Sequence, residues 1–337
     1  MFEKLFYTTI TIAASSLMAA CSSTASEADE LESGLEVRFT AADASRSALV
    51  TIDDLAKFEV YGNMVSSSST TSTPSEVFKA TPVTKTDGKW VYENTQYWMP
   101  GQTYSFVAIS TPSTENITNL SYSADKLTFN YTAPADYTTV PDILTAAHRR
   151  KYEKPATPVA FNFGHIMARI NFVAKVDPSI PNQTLSIDRI EVKGIASRAT
   201  YSLQPAPLGT ASQTSDFVAP TWTISGTPAR ISYTKNPGET ITTGGSTELF
   251  PSNDALLIIP QNVTSDIEVE LTYSRGGTPT TVSGRLRIAS STHGYAWAAG
   301  RSYSYSFTLG ADDYLIFEEP AIKAWDEDEG GNYIVVD

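Results

Sequence analysis

Val159-Ala160-Phe161-Asn162-Phe163-Gly164-His165-Ile166-Met167-Ala168-Arg169-Ile170-Asn171-Phe172-Val173-Ala174-Lys175-Val176 is the longest apolar stretch in the body of this 337-residue chain, and its pattern decides the fold. The large side chains Phe161 and Phe163 fall two apart, the spacing of a half-buried strand. Beyond Gly164 they fall at Ile166, Ile170 and Phe172, in the opposite phase. A one-residue slip turns every later side chain to the other face. Gly164 is therefore expected to mark a bulge or bend where one strand passes from one sheet to another.

Short strands with turn signals between them extend in both directions. Upstream, Leu35, Val37 and Phe39 alternate with Glu36, Arg38 and Thr40, followed by a small, polar stretch, 41–47, that reads as an exposed loop containing Arg46. Strands are also expected at 58–61, 89–92, 104–109 and 127–131, and the run of Ser and Thr from 66 to 75 reads as a loop. Tyr97-Trp98-Met99-Pro100-Gly101 reads as an aromatic strand end closed by a Pro-Gly turn. Downstream, 185–192 and 200–203 close a first domain. A second set follows at 222–224, 255–259, 267–273, 284–288 and 303–309. Only 142–151 has a pattern that allows a short helix.

Composition agrees. Seventeen Tyr and fourteen Phe, with only 18% charged residues, suit pleated, half-buried surfaces. The domains expected are a signal segment, 1–20, a polar and acidic tether, 21–33, a sandwich over 34–204 and a second over 205–337, divided where Pro, Ser and Thr replace apolar anchors.

A net charge of −13 disfavours nucleic-acid binding and attraction to anionic lipid, because there is no basic stripe to neutralise phosphates. The three histidines, His148, His165 and His293, are far apart in sequence, and no nucleophile elbow, zinc pair or phosphate loop occurs. No catalytic residue, metal or cofactor is expected. His165 reads as a hydrogen-bonded core histidine. The run Asp326-Glu327-Asp328-Glu329 lacks the alternating ligand spacing of a calcium loop and reads as a solvated turn. Trp90, Tyr97 and Trp98 would serve a lipid-anchored, monomeric receptor for glycan or protein if they were exposed and coplanar. Cross-strand packing is the plainer reading.

The single cysteine, Cys21, ends Leu17-Met18-Ala19-Ala20-Cys21, after an apolar run with Lys4 ahead of it. That is the form of a secretory signal, too short to span a bilayer comfortably. The small-small-Cys ending resembles the lipobox of bacterial lipoproteins, in which the thiol is acylated and becomes the new N-terminus. Met18 stands where Leu is commoner.

Five segments, in order, resemble the fimbrillin family, the subunits of type V pili. They are Val37-Arg38-Phe39 with the Arg46 loop; Gly88-Lys89-Trp90 through Tyr104-Ser105-Phe106-Val107-Ala108; Asp142-Ile143-Leu144 leading to Phe161–Ala168; Leu257-Ile258-Ile259-Pro260-Gln261; and Trp297-Ala298-Ala299-Gly300-Arg301 through Tyr305. The resemblance implies an all-β fold of two transthyretin-like sandwiches in tandem. It implies export as a palmitate-bearing lipoprotein to the outer membrane, and then cleavage by a trypsin-like, arginine-specific protease near the first strand. It further implies assembly with other fimbrial subunits by strand exchange, in a cell-surface fimbrium that supports adhesion to a host protein or glycan. Position as stalk, anchor or tip is left open.

On that basis Leu35, Val37 and Phe39 form the displaced strand and Arg46 is the expected cleavage site. Arg38 is the alternative, although a strand residue is poorly accessible to a protease. The donor expected is Tyr333-Ile334-Val335-Val336, freed by Gly330-Gly331. The alternative is that this segment pairs with its own sheet.

Overall fold

The phase slip is a change of sheet. In the computed structural model the stretch divides into a strand Val159–His165 and a strand Ala168–Val176 that belong to different sheets. The break falls at Ile166-Met167, two residues beyond Gly164, which still pairs with Thr145. Odd-numbered side chains are buried before the break and even-numbered ones after it.

The structure describes residues 36–43, 55–68, 73–110, 115–152, 156–208, 214–215, 217–227, 229–286, 296–310 and 314–325. The strands of the first half are β1 (Phe39–Asp43), β2 (Lys57–Ser66), β3 (Ser75–Thr86), β4 (Lys89–Val91), β5 (Gln102–Ile109), β6 (Ile117–Ser123), β7 (Lys126–Thr132), β8 (Leu144–Lys151) and β9 (Val159–His165). Then come β10 (Ala168–Val176), β11 (Thr184–Ala196), β12 (Arg198–Pro205), β13 (Thr214–Ser215), β14 (Phe217–Thr223), β15 (Arg230–Lys235), β16 (Glu239–Thr242) and β17 (Ser246–Glu248). The last are β18 (Leu256–Ile258), β19 (Gln261–Asn262), β20 (Glu268–Arg275), β21 (Thr278–Arg285), β22 (Ala296–Trp297), β23 (Arg301–Leu309) and β24 (Ala321–Ala324). Among the described residues the only helical turns are Tyr137–Thr139 and Ser252–Asp254. The fold is all-β, two sandwiches in tandem.

The larger sheet of the first sandwich has the order β1-β9-β8-β5-β2-β3-β4, with β13 beside the end of β8. It rolls around its own core of Phe39, Phe58, Phe78, Phe106, Phe161 and Phe163. Its central strand β5 is buried on both faces. Tyr104, Phe106 and Ala108 enter the roll, while Val107 and Ile109 join the core shared with the facing sheet β14-β12-β7-β6. That second core includes Leu127, Phe129, Tyr201 and Leu203, and Thr145 and Tyr201 share a buried hydrogen bond of 2.7 Å.

In the second sandwich β17-β10-β23-β24 faces β15-β11-β20-β21, with β18 also on β10 and β16 on β11. Phe172, Tyr305 and Phe307 meet Ile187, Val192 and Leu271 in the core. Sheet membership alternates along the chain. β10 and β11 belong to the second sandwich, whereas β12 returns to pair with β7 and, across position 205, with β14.

Three expectations change. The helix allowed at 142–151 is β8, whose alanines fit a strand enclosed between β5 and β9, so pairing overrides local helix propensity. The first three residues of the loop expected at 41–47 are strand instead, because β1 runs to Asp43; the rest of it lies outside the described residues. The Ser/Thr run gives way at Ser75 to β3, a twelve-residue strand.

Candidate functional site: the first strand and the seam it closes

Val37 and Phe39 are side chains of opposite size with one role. Both are buried, at 0% and 3% exposure, while Arg38 and Thr40 between and after them are exposed. The period of two therefore sends one face of this segment into the roll. Phe39 lies 5.3 Å from Phe78, 5.4 Å from Phe161, 5.6 Å from Tyr92 and 5.9 Å from Phe106, centroid to centroid. Full burial of an apolar side chain of this kind stabilises the fold by roughly 1.5–3 kcal/mol.

The backbone of this segment is held unequally on its two sides. On one side β1 runs parallel to β9, from Phe39 opposite Val159 to Asp43 opposite Phe163. The Arg38 carbonyl accepts from the Val159 amide at 2.7 Å. On the other side β1 pairs with no described strand. There the roll is closed by a short seam just ahead of β1. Val37 N–H donates to the Gln96 carbonyl at 2.8 Å, and Glu36 bridges Tyr97. The Tyr92 hydroxyl donates to the Val37 carbonyl at 2.6 Å and accepts from Gln96 N–H at 3.2 Å. Burial, the leading cause, pushes that hydroxyl up to about 12, so it stays protonated and able to donate. Taking this strand away would leave an unpaired β9 edge beside an apolar slot lined by Phe78, Phe106 and Phe161.

The structure places the other sequence-marked residues as follows. Leu35, Cys21, Arg46, the run Asp326–Glu329 and Tyr333, Ile334, Val335 and Val336 lie outside the described residues, as does His293. His165 is a core residue. Its Nδ1 is 2.8 Å from Asp142 Oδ1, and its ring stacks on Trp325 at 4.4 Å and 5°. Trp325, whose backbone N–H donates to Gly300 O at 2.9 Å, ends the described chain. His148 is buried in β8 opposite Phe106. The aromatic platform of the receptor reading does not form. Trp98 is buried beneath the Arg150 guanidinium at 4.8 Å, Trp90 packs on Phe58 at 4.8 Å, and only Tyr97 is exposed. Three rings in three environments give a sugar no common face. Among the described residues no three His, Cys, Asp or Glu side chains gather as a metal site, and no helix is long and apolar enough to cross a membrane.

Two parts of the seam escape sequence reasoning. The hydroxyl of Tyr92 links Val37 to Gln96, a contact between segments 55 residues apart that no local pattern announces. Phe78 lies on β3, whose alternation is broken at Ala80 (φ 47°).

A rolled sheet plugged by an edge strand, set beside a second sandwich, defines a structural β-sandwich protein. A family model described as fimbrillin-like matches residues 45–325, most of the chain, and the chain belongs to that family. Membership makes it a fimbrial subunit of the cell surface, structural rather than enzymatic. No curated protein matches it. Among solved structures, a protein assigned to cell adhesion in Bacteroides uniformis is 16% identical, over 86% of this chain and 98% of its own, with a TM-score of 0.45. One from Bacteroides ovatus is 14% identical, over 86% and 96%, with a TM-score of 0.47. A fimbrial assembly protein from Parabacteroides distasonis is 11% identical, over 86% and 98%, with a TM-score of 0.38.

Proposed function

We propose that this subunit is exported as an outer-membrane lipoprotein acylated at Cys21, is cleaved after Arg46, and polymerises when a strand of the next subunit replaces its first strand. The observation that carries the reading is the asymmetry of that strand. Val37 and Phe39 plug the apolar core of the roll, yet the segment is an edge, with a ladder on one side and a short seam on the other. An unpaired edge over an apolar groove is a template for another chain, in which main-chain bonds give affinity and side-chain pockets give specificity.

Arg46 suits the cleavage better than Arg38, because Arg38 carries a hydrogen-bonded carbonyl at the start of the strand. Tyr333–Val336 of a second copy is the donor in this reading, since it is β-prone and apolar and follows Gly330-Gly331. The incoming strand adds head to tail, which does not close and so builds a filament. Adhesion to host protein or glycan follows from display on that filament.

The test is a pair of variants in the native host. Cys21→Ala should leave the chain unacylated and off the surface. Arg46→Ala should give an acylated chain that is neither cleaved nor assembled. Normal fimbriae from the Arg46→Ala chain would remove the cleavage step, and normal acylation of the Cys21→Ala chain would remove the anchor.

A further inference from the structure

The outer face of β10, β23 and β24 holds an open groove of about 600 Å3. Its floor follows from the strand period of two. Tyr303, Tyr305 and Phe307 enter the core, so Ser302, Ser304 and Ser306 face outward and line the groove. Parallel pairing sets Ser302 beside Arg169 and Ser304 beside Asn171. On the other side Ser302 meets Lys323 and Ser304 meets Ala321. Small side chains on the middle strand, with longer ones around them, make the depression. Glu248, opposite Val173, stands on one wall, and Glu318 and Glu319, ahead of β24, stand on the other.

The polar groups here are fixed but unmatched. Asn171 is only 5% exposed. Its Oδ1 accepts from the N–H groups of Phe172 at 2.8 Å and Phe250 at 3.0 Å. Those two bonds set the plane of the amide and leave Nδ2 with no partner among the described residues. A donor so enclosed gains when a ligand accepts from it. The hydroxyls of Ser302, Ser304 and Ser306 and the carboxylates of Glu248 and Glu319 have no partner among the described residues either. The outer face of the opposite sheet differs, since Arg189, Glu191, Lys193 and Glu270 pair with one another there.

Charge then chooses among ligands. Arg169, Lys175 and Lys323 line the groove together with Glu248, Glu318 and Glu319, and Lys175 pairs with Glu318 at 3.1 Å. An ionic ligand of either sign meets three like charges. The balanced lining, in a chain of net charge −13, suits an uncharged ligand whose groups both donate and accept. A sugar hydroxyl does both, giving its proton to a carboxylate while accepting from an amide N–H. No exposed aromatic ring lines the groove, so recognition is by hydrogen bonds and not by stacking.

We propose that this groove binds an uncharged saccharide over the serine floor, with Asn171 Nδ2 donating to a sugar oxygen and Glu248 and Glu319 accepting from sugar hydroxyls. The inference rests on the adhesion reading above and gives it a site and a ligand class. It needs neither cleavage nor strand exchange, and its failure would leave both standing.

The uncleaved chain, fluorescently labelled, is applied to an array of uncharged, sialylated and sulfated oligosaccharides of host and of bacterial type, and the type bound identifies the source. The strongest uncharged binder is then titrated calorimetrically into the parent and into Asn171→Asp, Glu319→Gln and Glu239→Gln. Asn171→Asp keeps the acceptor for Phe172 and Phe250 and removes the donor. Glu319 is exposed, so its variant decides the matter even if Asn171→Asp fails to fold. Glu239, exposed on β16 of the opposite sheet, is the control. The parent should bind, each groove variant about tenfold more weakly, and the control as the parent does. Binding confined to sialylated or sulfated sugars, equal affinity in parent and groove variants, or no binding at all would each overturn the site.

Discussion

Phe39 and Tyr92 do opposite jobs at one seam. Phe39 supplies apolar burial that the proposed exchange would remove whole. Tyr92 supplies hydrogen bonds that hold the strand in place. Phe39→Ala should therefore cost the intact chain about 3–5 kcal/mol in denaturant unfolding. Under the proposed cleavage after Arg46, it should have no effect on the assembled subunit. A cost below about 1 kcal/mol in the intact chain would mean that the strand is no plug. The Tyr92 bonds should show in a pH series. Burial raises this hydroxyl from its ordinary value of 10.0 to about 12 in the folded chain. The unfolded chain gives up the proton first as pH rises, so the contribution is full below about pH 10 and is lost by about pH 12. The stability gap between the parent and Tyr92→Phe, about 0.5–1.5 kcal/mol at pH 9, should close over that window. A gap that persists at pH 12 would contradict the assigned bonds.

At the scale of elements, β11 shows how local geometry fixes a strand. Its register shifts between Val192 and Ile195, and Gly194 within the shift has φ 79°. A Cβ there would sit 2.0 Å from the Asp266 carbonyl oxygen. Gly194→Ala should cost roughly 2–4 kcal/mol, from left-handed backbone and overpacking together. Unfolding within 0.5 kcal/mol of the parent would show that the bulge relaxes freely. Alternation decides what the sequence shows and what it hides. β9 and β10 are legible because their large apolar side chains alternate, Phe161 and Phe163 and then Ile170 and Phe172, although Asn171 is buried too. β8 is not, since Leu144-Thr145-Ala146-Ala147 has no alternation when both faces are covered. β3 is not, since Lys79, Pro82 and the positive φ at Ala80 interrupt its period. At the site, Val37 and Phe39 are legible from alternation alone. Phe78 and Tyr92 gain their roles only when the sheet rolls up and brings its two ends together.

For the whole molecule, the proposed exchange would divide the labour of assembly between the two sandwiches. The first holds the plugged slot. In the second, Trp325, the last described residue, stacks on His165 and its backbone N–H donates to Gly300 O; the proposed donor follows it in sequence. Under the proposed exchange a subunit receives at one site and gives from another, which is what a filament of one kind of subunit requires. The most direct test of this exchange is an unheated denaturing gel of the chain cleaved after Arg46, run beside a chain lacking Tyr333–Asp337. The cleaved parent should form a ladder of denaturant-resistant oligomers, and the truncated chain should be cleaved equally well and stay a monomer. A ladder of normal length from the truncated chain would contradict the donor, and no ladder from the cleaved parent would contradict strand exchange itself.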